Sequence, residues 1–429
     1  MRPTAYPISP RMITIPVPAP LPMKRPGPLW ILFFAQAVMV AGIALSFPFF
    51  ALYLSRERGI PMGTVGLLLS LCVLLMAVSQ ALGGELSDRI GRSKVMSLSI
   101  WLRTACIFAQ AFAILRAWPV PAVVATHMVG GFFGGFFGPA AQAWVADHVP
   151  PDQRLRSYGF LRVAINLGWA LGPALGGVLA TRSYPLAFFV TGLACSVCGV
   201  ILSGLIRDKR RAERSDSLTW QAALDLVKDR RLAAFCAYAA LMGIVMAQMV
   251  APLSVFAVTY AGLSEAQVGL LFSINGLIVV AVQSAVSKRC SRHRLTTSLA
   301  AGAGIYALGY GAVGCLHGFL ALAAAMAVIS FGEVMVSPGI QALGVNLAPK
   351  GRTGRYAGVS GFAWALGHAG GPLLGGLGVQ YLAPTRPRLP WLLVGLLSCA
   401  AGLGFFSLRR KLVRQEEGLQ EVPLVQPCV

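Results

Sequence analysis

Residues 168–177 read GWALGPALGG and residues 367–376 read GHAGGPLLGG, so one glycine–proline pattern occurs twice, 199 positions apart. At the same offset Pro139 corresponds to Pro338. Each copy lies inside a long apolar run. A repeat of this kind predicts two homologous halves that run parallel, related by an axis along the membrane normal.

The whole chain around this repeat is apolar. Of its 429 residues 56% are hydrophobic and 12% are charged, against about 25% charged in soluble proteins. Its apolar runs have the length of a membrane helix and lack the alternation of a barrel strand. We predict an all-α membrane protein with twelve transmembrane helices in two pseudo-symmetric six-helix bundles. The predicted helices lie near residues 29–54, 62–87, 95–115, 118–147, 155–181, 184–206, 231–258, 265–288, 294–315, 318–347, 354–382 and 389–409.

The basic residues predict an orientation. Of 36 lysines and arginines, 28 fall in the tails and loops of one side and six fall on the other. Because basic loops stay in the cytoplasm, both termini are expected there, in a bacterial inner membrane. The net charge of +21 is spread over short clusters rather than one stripe, which argues against nucleic-acid binding.

Composition also divides the chain into domains. Residues 1–28 hold nine prolines and predict a disordered cytoplasmic tail. The predicted bundles span 29–206 and 231–410, joined by a charged cytoplasmic linker at 207–230 and followed by a cytoplasmic tail at 411–429. The nine cysteines lie mostly inside apolar runs and show neither a disulfide framework nor zinc spacing.

The strongest local motif follows the second predicted helix, where residues 84–94 read GELSDRIGRSK. It resembles the signature G-x-L-x-D-R-x-G-R-x-K/R of the major facilitator superfamily, and the resemblance covers residues 29–410. It implies that Gly84, Asp88, Arg89, Gly91 and Arg92 act as a conformational switch that latches the two halves. Small residues permit close helix contact, so we expect one at Gly84. The resemblance also adds Asp147 to the charge network around Asp88 and Arg89; the alternative is a solvated acid at a helix end.

The glycine–proline pattern in the fifth predicted helix resembles one that this superfamily associates with proton-coupled antiporters, especially its drug:proton branch. Glycines four residues apart form a smooth face for another helix, and proline bends the helix. The same residues also suit packing alone. The pattern comprises Gly168, Gly172, Pro173, Gly176 and Gly177.

Ionisable groups within the predicted helices are candidates for proton coupling, because burying charge in lipid is costly. Glu333 is the first candidate, and its alternative is a neutral hydrogen-bonded glutamate. Arg103 and Arg162 have a coupling role or extend to the interface. His127 stands where many superfamily members carry arginine, a departure that puts the family's coupling scheme in doubt; a core histidine is its alternative. His368 is interpreted in the same way.

By resemblance, the substrate cavity is expected between helices 1, 4, 5, 7, 8, 10 and 11. A mostly apolar cavity with few fixed charges suits lipophilic or weakly cationic compounds. Its candidate residues are Gln36, Gln142, Asn166, Trp169, Gln248, Asn275 and Trp364.

These features predict a secondary-active transporter that couples proton influx to export of small drug-like organic compounds. No phosphate-binding loop, metal-ligand spacing or nucleophile–base set is present in the sequence. We therefore expect no enzyme, no cofactor and no nucleic-acid partner, and a monomer in the bilayer. The alternatives are a proton-coupled importer of a metabolite and a transport-inactive membrane sensor.

Overall fold

The computed structural model describes residues 27–149, 151–208, 229–349 and 353–419. Most of the predicted proline-rich tail and linker and the end of the C-terminal tail lie outside these ranges. Long helices account for most of the described chain, and we number them in order. They are α1 (Pro28–Glu57), α2 (Met62–Ile90), α3 (Arg92–Leu115), α4 (Val120–His148), α5 (Pro151–Arg182), α6 (Tyr184–Leu205), α7 (Arg230–Thr259), α8 (Glu265–Cys290), α9 (Leu295–Val313), α10 (Phe319–Asn346), α11 (Thr353–Leu377) and α12 (Arg388–Lys411).

Ten of these helices are long and apolar enough to cross a membrane. The other two are α9 and α11, where glycine lowers the mean apolarity: α9 has four glycines in 19 residues, and α11 has eight in 25. Both still pack within the bundles, α9 against α10 and α12, and α11 against α7 and α2. The fold therefore contains a ninth and an eleventh helix at the predicted places, with less lipid-like composition.

Two helices are interrupted at points that the apolar pattern does not mark. α4 consists of the segments Val120–Gly135 and Phe137–His148. α7 consists of Arg230–Ala247 and Ala251–Thr259. Proline lacks the N–H of a helical hydrogen bond; at Pro252 the ladder resumes when the N–H of Leu253 donates to the oxygen of Gln248, 3.0 Å away.

The two six-helix halves, α1–α6 and α7–α12, repeat the same helix pairings. In the first half α1 packs on α5, α2 on α4, and α3 on α6; in the second half α7 packs on α11, α8 on α10, and α9 on α12. The halves meet where α5 packs on α8 and α2 packs on α11. Leucines such as Leu308, Leu320 and Leu403 remain largely exposed around the outside, where lipid would cover them. These pairings are those of two pseudo-symmetric bundles.

We call the side of the molecule that carries the α2–α3 and α8–α9 loops the basic face, and the other side the opposite face. On the opposite face the halves are tied together. The guanidinium of Arg56 donates to Glu265 at 3.1 Å, and the N–H of Gly63 donates to the side chain of Gln380 at 2.8 Å. Nearer the basic face, a methyl group at Gly84 would meet nothing closer than 3.8 Å. The two halves are thus closed at the opposite face and diverge between α2 and α11 toward the basic face.

Candidate functional site: a central cavity and its gates

Arg92 organises the motif loop, which we define as residues 84–94. Its guanidinium pairs with Asp88 on α2, with Asp147 on α4 at 3.2 Å, and with the hydroxyl of Ser87 at 2.7 Å. The side chain of Arg92 is 13% exposed, so solvent screens these pairs less than surface ion pairs. The loop therefore fastens α2, α3 and α4 of the first half to one another.

Arg89 lies outside this cluster. It is largely exposed and pairs with Glu85, one turn earlier on α2. Asp147 therefore joins Asp88 through Arg92, and the expected participation of Arg89 is not seen in this conformation. Arg89 and Glu85 are both exposed at the basic face.

Gly91 connects the motif loop to the start of the linker. Its φ of 108° is a conformation that side-chain-bearing residues rarely adopt. A methyl group there would also lie 2.6 Å from a carboxylate oxygen of Asp208. The other oxygen of Asp208 accepts the N–H of Ser93 at 2.9 Å, in the first turn of α3, where backbone N–H groups lack helical partners. A carboxylate that follows α6 thus caps α3.

The close helix contact expected at Gly84 is wrong for this conformation. The contact occurs one residue earlier, where a methyl group on Gly83 would lie 2.5 Å from Cα of Phe136. Phe136 is the residue at the interruption of α4. Gly84 instead presents open surface toward the gap between the halves.

The glycines of the α5 pattern divide between two neighbours. A methyl group at Gly168, Gly172 or Gly176 would collide with α1, whereas one at Gly177 would collide with the backbone of Glu265 on α8. The carbonyl of Pro173 lies against Gly269 of α8. One face of α5 therefore packs within its own half, and the other forms the contact between halves.

The second copy of the pattern makes the equivalent contacts. Methyl groups at Gly367 or Gly371 would collide with α7, and one at Gly376 would collide with the backbone of Met62 on α2. The carbonyl of Pro372 lies against Gly66 of α2, as the carbonyl of Pro173 lies against Gly269. The repeated sequence thus forms two equivalent contacts that close the opposite face.

A central cavity of about 110 Å³ lies between the halves, below this closure. Since one water needs about 10–15 Å³ on this measure, the cavity has room for several waters. It is enclosed by α1, α2, α3, α4 and α6 of the first half and by α7 and α11 of the second. Its polar and titratable lining residues are Ser46, Cys72, Arg103, Gln110, Thr126, His127, Thr191 and His368.

This lining corrects the predicted one. Helices α5, α8 and α10 were expected around the cavity, but α2, α3 and α6 stand there instead. Arg103 and His127 both reach it. The ring of His127 is 3.3 Å from the amide nitrogen of Gln110 and stacks on Phe50, with 4.1 Å between ring centroids.

A second polar group lies within the second half, between α8 and α10. The side-chain amide of Asn275 on α8 donates to Glu333 at 2.8 Å and to Ser330 at 2.9 Å. Glu333 is 14 residues from the first residue of α10 and 13 from the last, near the middle of the helix. An interior carboxylate is costly in lipid, and these hydrogen bonds reduce that cost.

Arg162 crosses from the first half to the same helix. Its guanidinium donates to the hydroxyl of Ser337 at 2.8 Å and to the amide oxygen of Gln341 at 3.5 Å. A second cavity of about 280 Å³ lies here, lined by Arg162, α10 and α11, nearer the basic face. Ser337 and Gln341 follow Glu333 by four and eight residues, so the three share one face of α10.

The sequence comparisons agree with this architecture. The profile of the Major Facilitator Superfamily matches residues 32–372. This chain belongs to the major facilitator superfamily. It is similar to the uncharacterized MFS-type transporter YttB of Bacillus subtilis, with 28% identity over 88% of this chain and 95% of that protein. It is also 26% identical to the quinolone resistance protein NorA of Staphylococcus aureus, over 44% of this chain and 47% of NorA.

Solved structures show the same fold at low identity. A crystal structure of the peptide transporter POT in complex with sulfate superposes with a TM-score of 0.73 and 16% identity, over 91% of this chain and 96% of that one. Membership in the major facilitator superfamily makes the chain a multi-pass membrane transporter with small-molecule substrates. The motif loop, the glycine contacts and the central cavity are the parts of this transporter from which its mechanism can be argued.

None of the seven predicted cavity residues lines the central cavity of this superfamily member. Gln248 is buried at the interruption of α7 and donates to the backbone oxygens of Ile244 and Gly371, both at 2.9 Å, which is a structural role. Trp364 lines the second cavity and stacks on His368, with 4.8 Å between centroids. Asn275 belongs to the Glu333 group.

The remaining four predicted residues lie elsewhere. Gln36 is buried in α1, and its side-chain oxygen has no hydrogen-bond partner among the described residues. Gln142 is exposed on α4, and Asn166 is partly buried on α5. Trp169 contacts Phe47 edge-on, with 6.3 Å between centroids.

Sequence reasoning missed several polar residues of these sites, among them Gln110 beside His127, Ser337 and Gln341 beside Arg162, and Asp208 beside Gly91. For Ser337 and Gln341 a signal was available, since they lie at helical spacing from Glu333. For Gln110 and Asp208 the sequence carries no comparable signal, because their partners lie on other helices.

Proposed function

We propose that this chain is a proton-coupled exporter of small organic compounds that works by alternating access. One observation carries the proposal. Glu333 is the one carboxylate in the described helices that lies more than two turns from either helix end, and it is hydrogen-bonded to Asn275 of the neighbouring helix α8. In lipid such a group is costly while charged and unpaired, so it is suited to bind a proton or a cationic partner.

Coupling between proton binding and the conformational change requires that the charge of Glu333 be stabilised differently in the two conformations. Arg162 lies on the same side of α10, where it reaches Ser337 one turn away from Glu333. In the conformation closed at the opposite face, an ionised Glu333 is attracted to Arg162. Protonation of Glu333 removes that attraction and changes the relative stability of the two conformations. A ligand or proton shifts such an equilibrium only by its differential affinity for the two states.

Export is the direction favoured by the α5 pattern, which resembles that of proton-coupled antiporters in this superfamily. The similarity to a protein named for quinolone resistance supports the same direction. We assign the basic face to the cytoplasm, with both termini there, and the protein to the inner membrane as a monomer. On this assignment the described conformation is open toward the cytoplasm.

In this cycle the motif loop is the switch. Gly84 has no neighbour closer than 3.8 Å and the side chains of Glu85 and Arg89 are exposed, while the cluster of Arg92 with Asp88 and Asp147 holds the loop in place. When the basic face closes, the smooth surface at Gly84 is available for α11. The glycine contacts of α5 with α8 and of α2 with α11 would then separate at the opposite face.

The test uses everted membrane vesicles energised to be acid inside, with and without the protein. A quenched dye follows lumenal pH while neutral, anionic and cationic organic compounds are added one at a time. Proton release triggered by a compound supports antiport and identifies its class. Uptake of protons together with a compound would instead support the importer. If no compound in a broad panel moves protons, although the protein is present and folded, the proton-coupled proposal fails.

A further inference from the structure

Arg103 is an interior cation that has no partner among the described residues. It lies near the middle of α3 and lines the central cavity. Within residues 27–149, 151–208, 229–349 and 353–419, its guanidinium makes no ion pair or hydrogen bond. A guanidinium carries five donors and stays charged, and an unpaired charge at membrane depth is costly. The protein therefore holds a fixed positive charge at the cavity wall that no described carboxylate neutralises.

The neighbouring helix makes room for this side chain. A methyl group at Gly134 on α4 would lie 2.7 Å from Cδ and 2.8 Å from Cζ of Arg103, so only glycine accommodates the guanidinium in this position. One turn away, Gly131 lines the cavity and a methyl group there would meet nothing within 4 Å. The glycines of α4 thus seat Arg103 and leave open space beside it.

The cavity wall supplies no negative charge. No aspartate or glutamate is among the residues that line it, and the interior carboxylate Glu333 is not part of the wall. His368, on the α11 side, has a buried Nδ1 atom without a hydrogen-bond partner among the described residues. The remaining wall is mostly apolar, including Phe47, Met76 and Phe188. An anion with an apolar body would satisfy Arg103 and cover this wall.

We propose that the central cavity binds lipophilic organic anions, with a carboxylate held by the Arg103 guanidinium. The proposal rests on the proposed transport function and names its substrate class. A carboxylate matches the planar fork of arginine and carries one charge, which one arginine can neutralise. Organic cations are repelled by the same group. The weakly cationic substrate expected from the apolar sequence is therefore replaced by an anionic one.

The test measures binding to the purified full-length protein with three compounds that share one aromatic body. These are 2-naphthoic acid, its methyl ester and 2-naphthylmethylamine. We expect the acid to bind about ten- to a hundredfold more tightly than the ester, because a charge-assisted pair is involved. The amine is expected to bind more weakly than the ester. Equal Kd values for acid and ester, or tighter binding of the amine, would overturn the proposal.

Variants of Arg103 test whether this residue causes the preference for the acid over the ester. Arg103→Gln should remove the difference between acid and ester, and Arg103→Lys should keep part of it, because lysine retains charge but loses the fork. Arg182→Gln is the matched control, since Arg182 is an exposed arginine at the end of α5. Loss of all binding without a change in the acid-to-ester ratio would indicate a structural role for Arg103 and contradict the proposal.

A second measurement needs no known ligand. Cys72 lines the same cavity, so thiosulfonate reagents can report on charge in a variant that keeps only this cysteine. The anionic reagent should modify Cys72 faster than the cationic one, relative to the neutral reagent, and Arg103→Gln should abolish this preference. Equal relative rates, or no modification by any reagent, would overturn the proposal. Neither measurement uses a proton gradient, so proton-coupled export can fail while anion selectivity holds, and the reverse.

Discussion

The equivalent helix pairs of the two halves, α3 with α4 and α9 with α10, carry opposite charges. At the offset of 199 residues that relates the halves, Arg103 of α3 corresponds to Gly302 of α9, and Gly134 of α4 corresponds to Glu333 of α10. In the first half the cation extends from α3 and the glycine on α4 makes room for it. In the second half the carboxylate extends from α10, and Gly302 packs closely on that helix.

This difference separates what the fold requires from what the chemistry requires. Glycines and prolines recur because close backbone contact needs small residues wherever the helices cross. The interior charges Arg103 and Glu333 do not recur in the other half, where glycine stands at each equivalent position. Arg103 has no partner among the described residues and lines a cavity, while Glu333 is hydrogen-bonded to Asn275. The two proposals above accordingly assign ligand binding to Arg103 of the first half and proton binding to Glu333 of the second.

The largest expected effect concerns the second half. Glu333→Gln keeps an acceptor for Asn275 but cannot bind and release a proton. We expect the compound-triggered proton release in acid-inside vesicles to fall to the level of vesicles without the protein. Glu57→Gln, at an exposed carboxylate at the end of α1, should leave the release unchanged. Release that persists in Glu333→Gln would move the proton site elsewhere, with His127 next.

The next effect tests whether the packing is as symmetric as the repeat suggests. Gly66→Ala and Gly269→Ala each introduce a methyl group against a proline carbonyl, of Pro372 or Pro173, at the closed opposite face. We expect each to cost about 1–3 kcal/mol of that closure. Because the opposite face would then open more often, an impermeant thiol reagent applied from that face should modify Cys72 faster.

The matched control is Gly304→Ala, where the added methyl group has no neighbour within 4 Å. Similar acceleration by Gly66→Ala and Gly269→Ala would support equivalent contacts. A large effect from one and none from the other would show that the two contacts contribute unequally despite the repeated sequence.

A smaller effect concerns the caps of the equivalent helices α3 and α9. Asp208 accepts the N–H of Ser93, and Glu417, which is fully buried, accepts both the N–H and the hydroxyl of Thr296. Asp208→Ala and Glu417→Ala should each lower stability by about 0.5–2 kcal/mol. Thermal unfolding of the purified protein should show the larger decrease for Glu417→Ala, because its carboxylate is buried. Equal decreases would contradict this ranking.

The smallest effect concerns the contact that joins the halves near the basic face. Arg162→Gln removes a partly exposed hydrogen bond to Ser337, worth about 0.5–1 kcal/mol. We expect Arg162→Gln and Ser337→Ala to change the rate of Cys72 modification by similar amounts, since each removes the same hydrogen bond. The double variant should differ little from either single variant. Additive effects would show that the two residues act independently.

Prediction from the sequence succeeded where composition and length decide the outcome. The second predicted helix, 62–87, is observed as Met62–Ile90. The two copies of the repeat form two equivalent contacts between the halves. The interruptions of α4 and α7 were missed, since the apolar pattern continues through both. In this conformation the close contact is made by Gly83 rather than by the predicted Gly84, because adjacent glycines point to different neighbours and the rotation of the helix decides which one is used.

The sequence by itself determined that the chain is a two-half helical membrane protein, because apolar length and repeat are local properties. The motif loop is also visible in the sequence, and its role as a switch stays a prediction. The sequence also identified Glu333, Arg103 and His127 as interior ionisable groups. Only the tertiary structure decided which helices enclose the cavity and which polar groups have partners. Pairing depends on the crossing of helices distant in sequence, so Arg103 could be recognised as unpaired, and Gln248 as structural, only once the halves were packed.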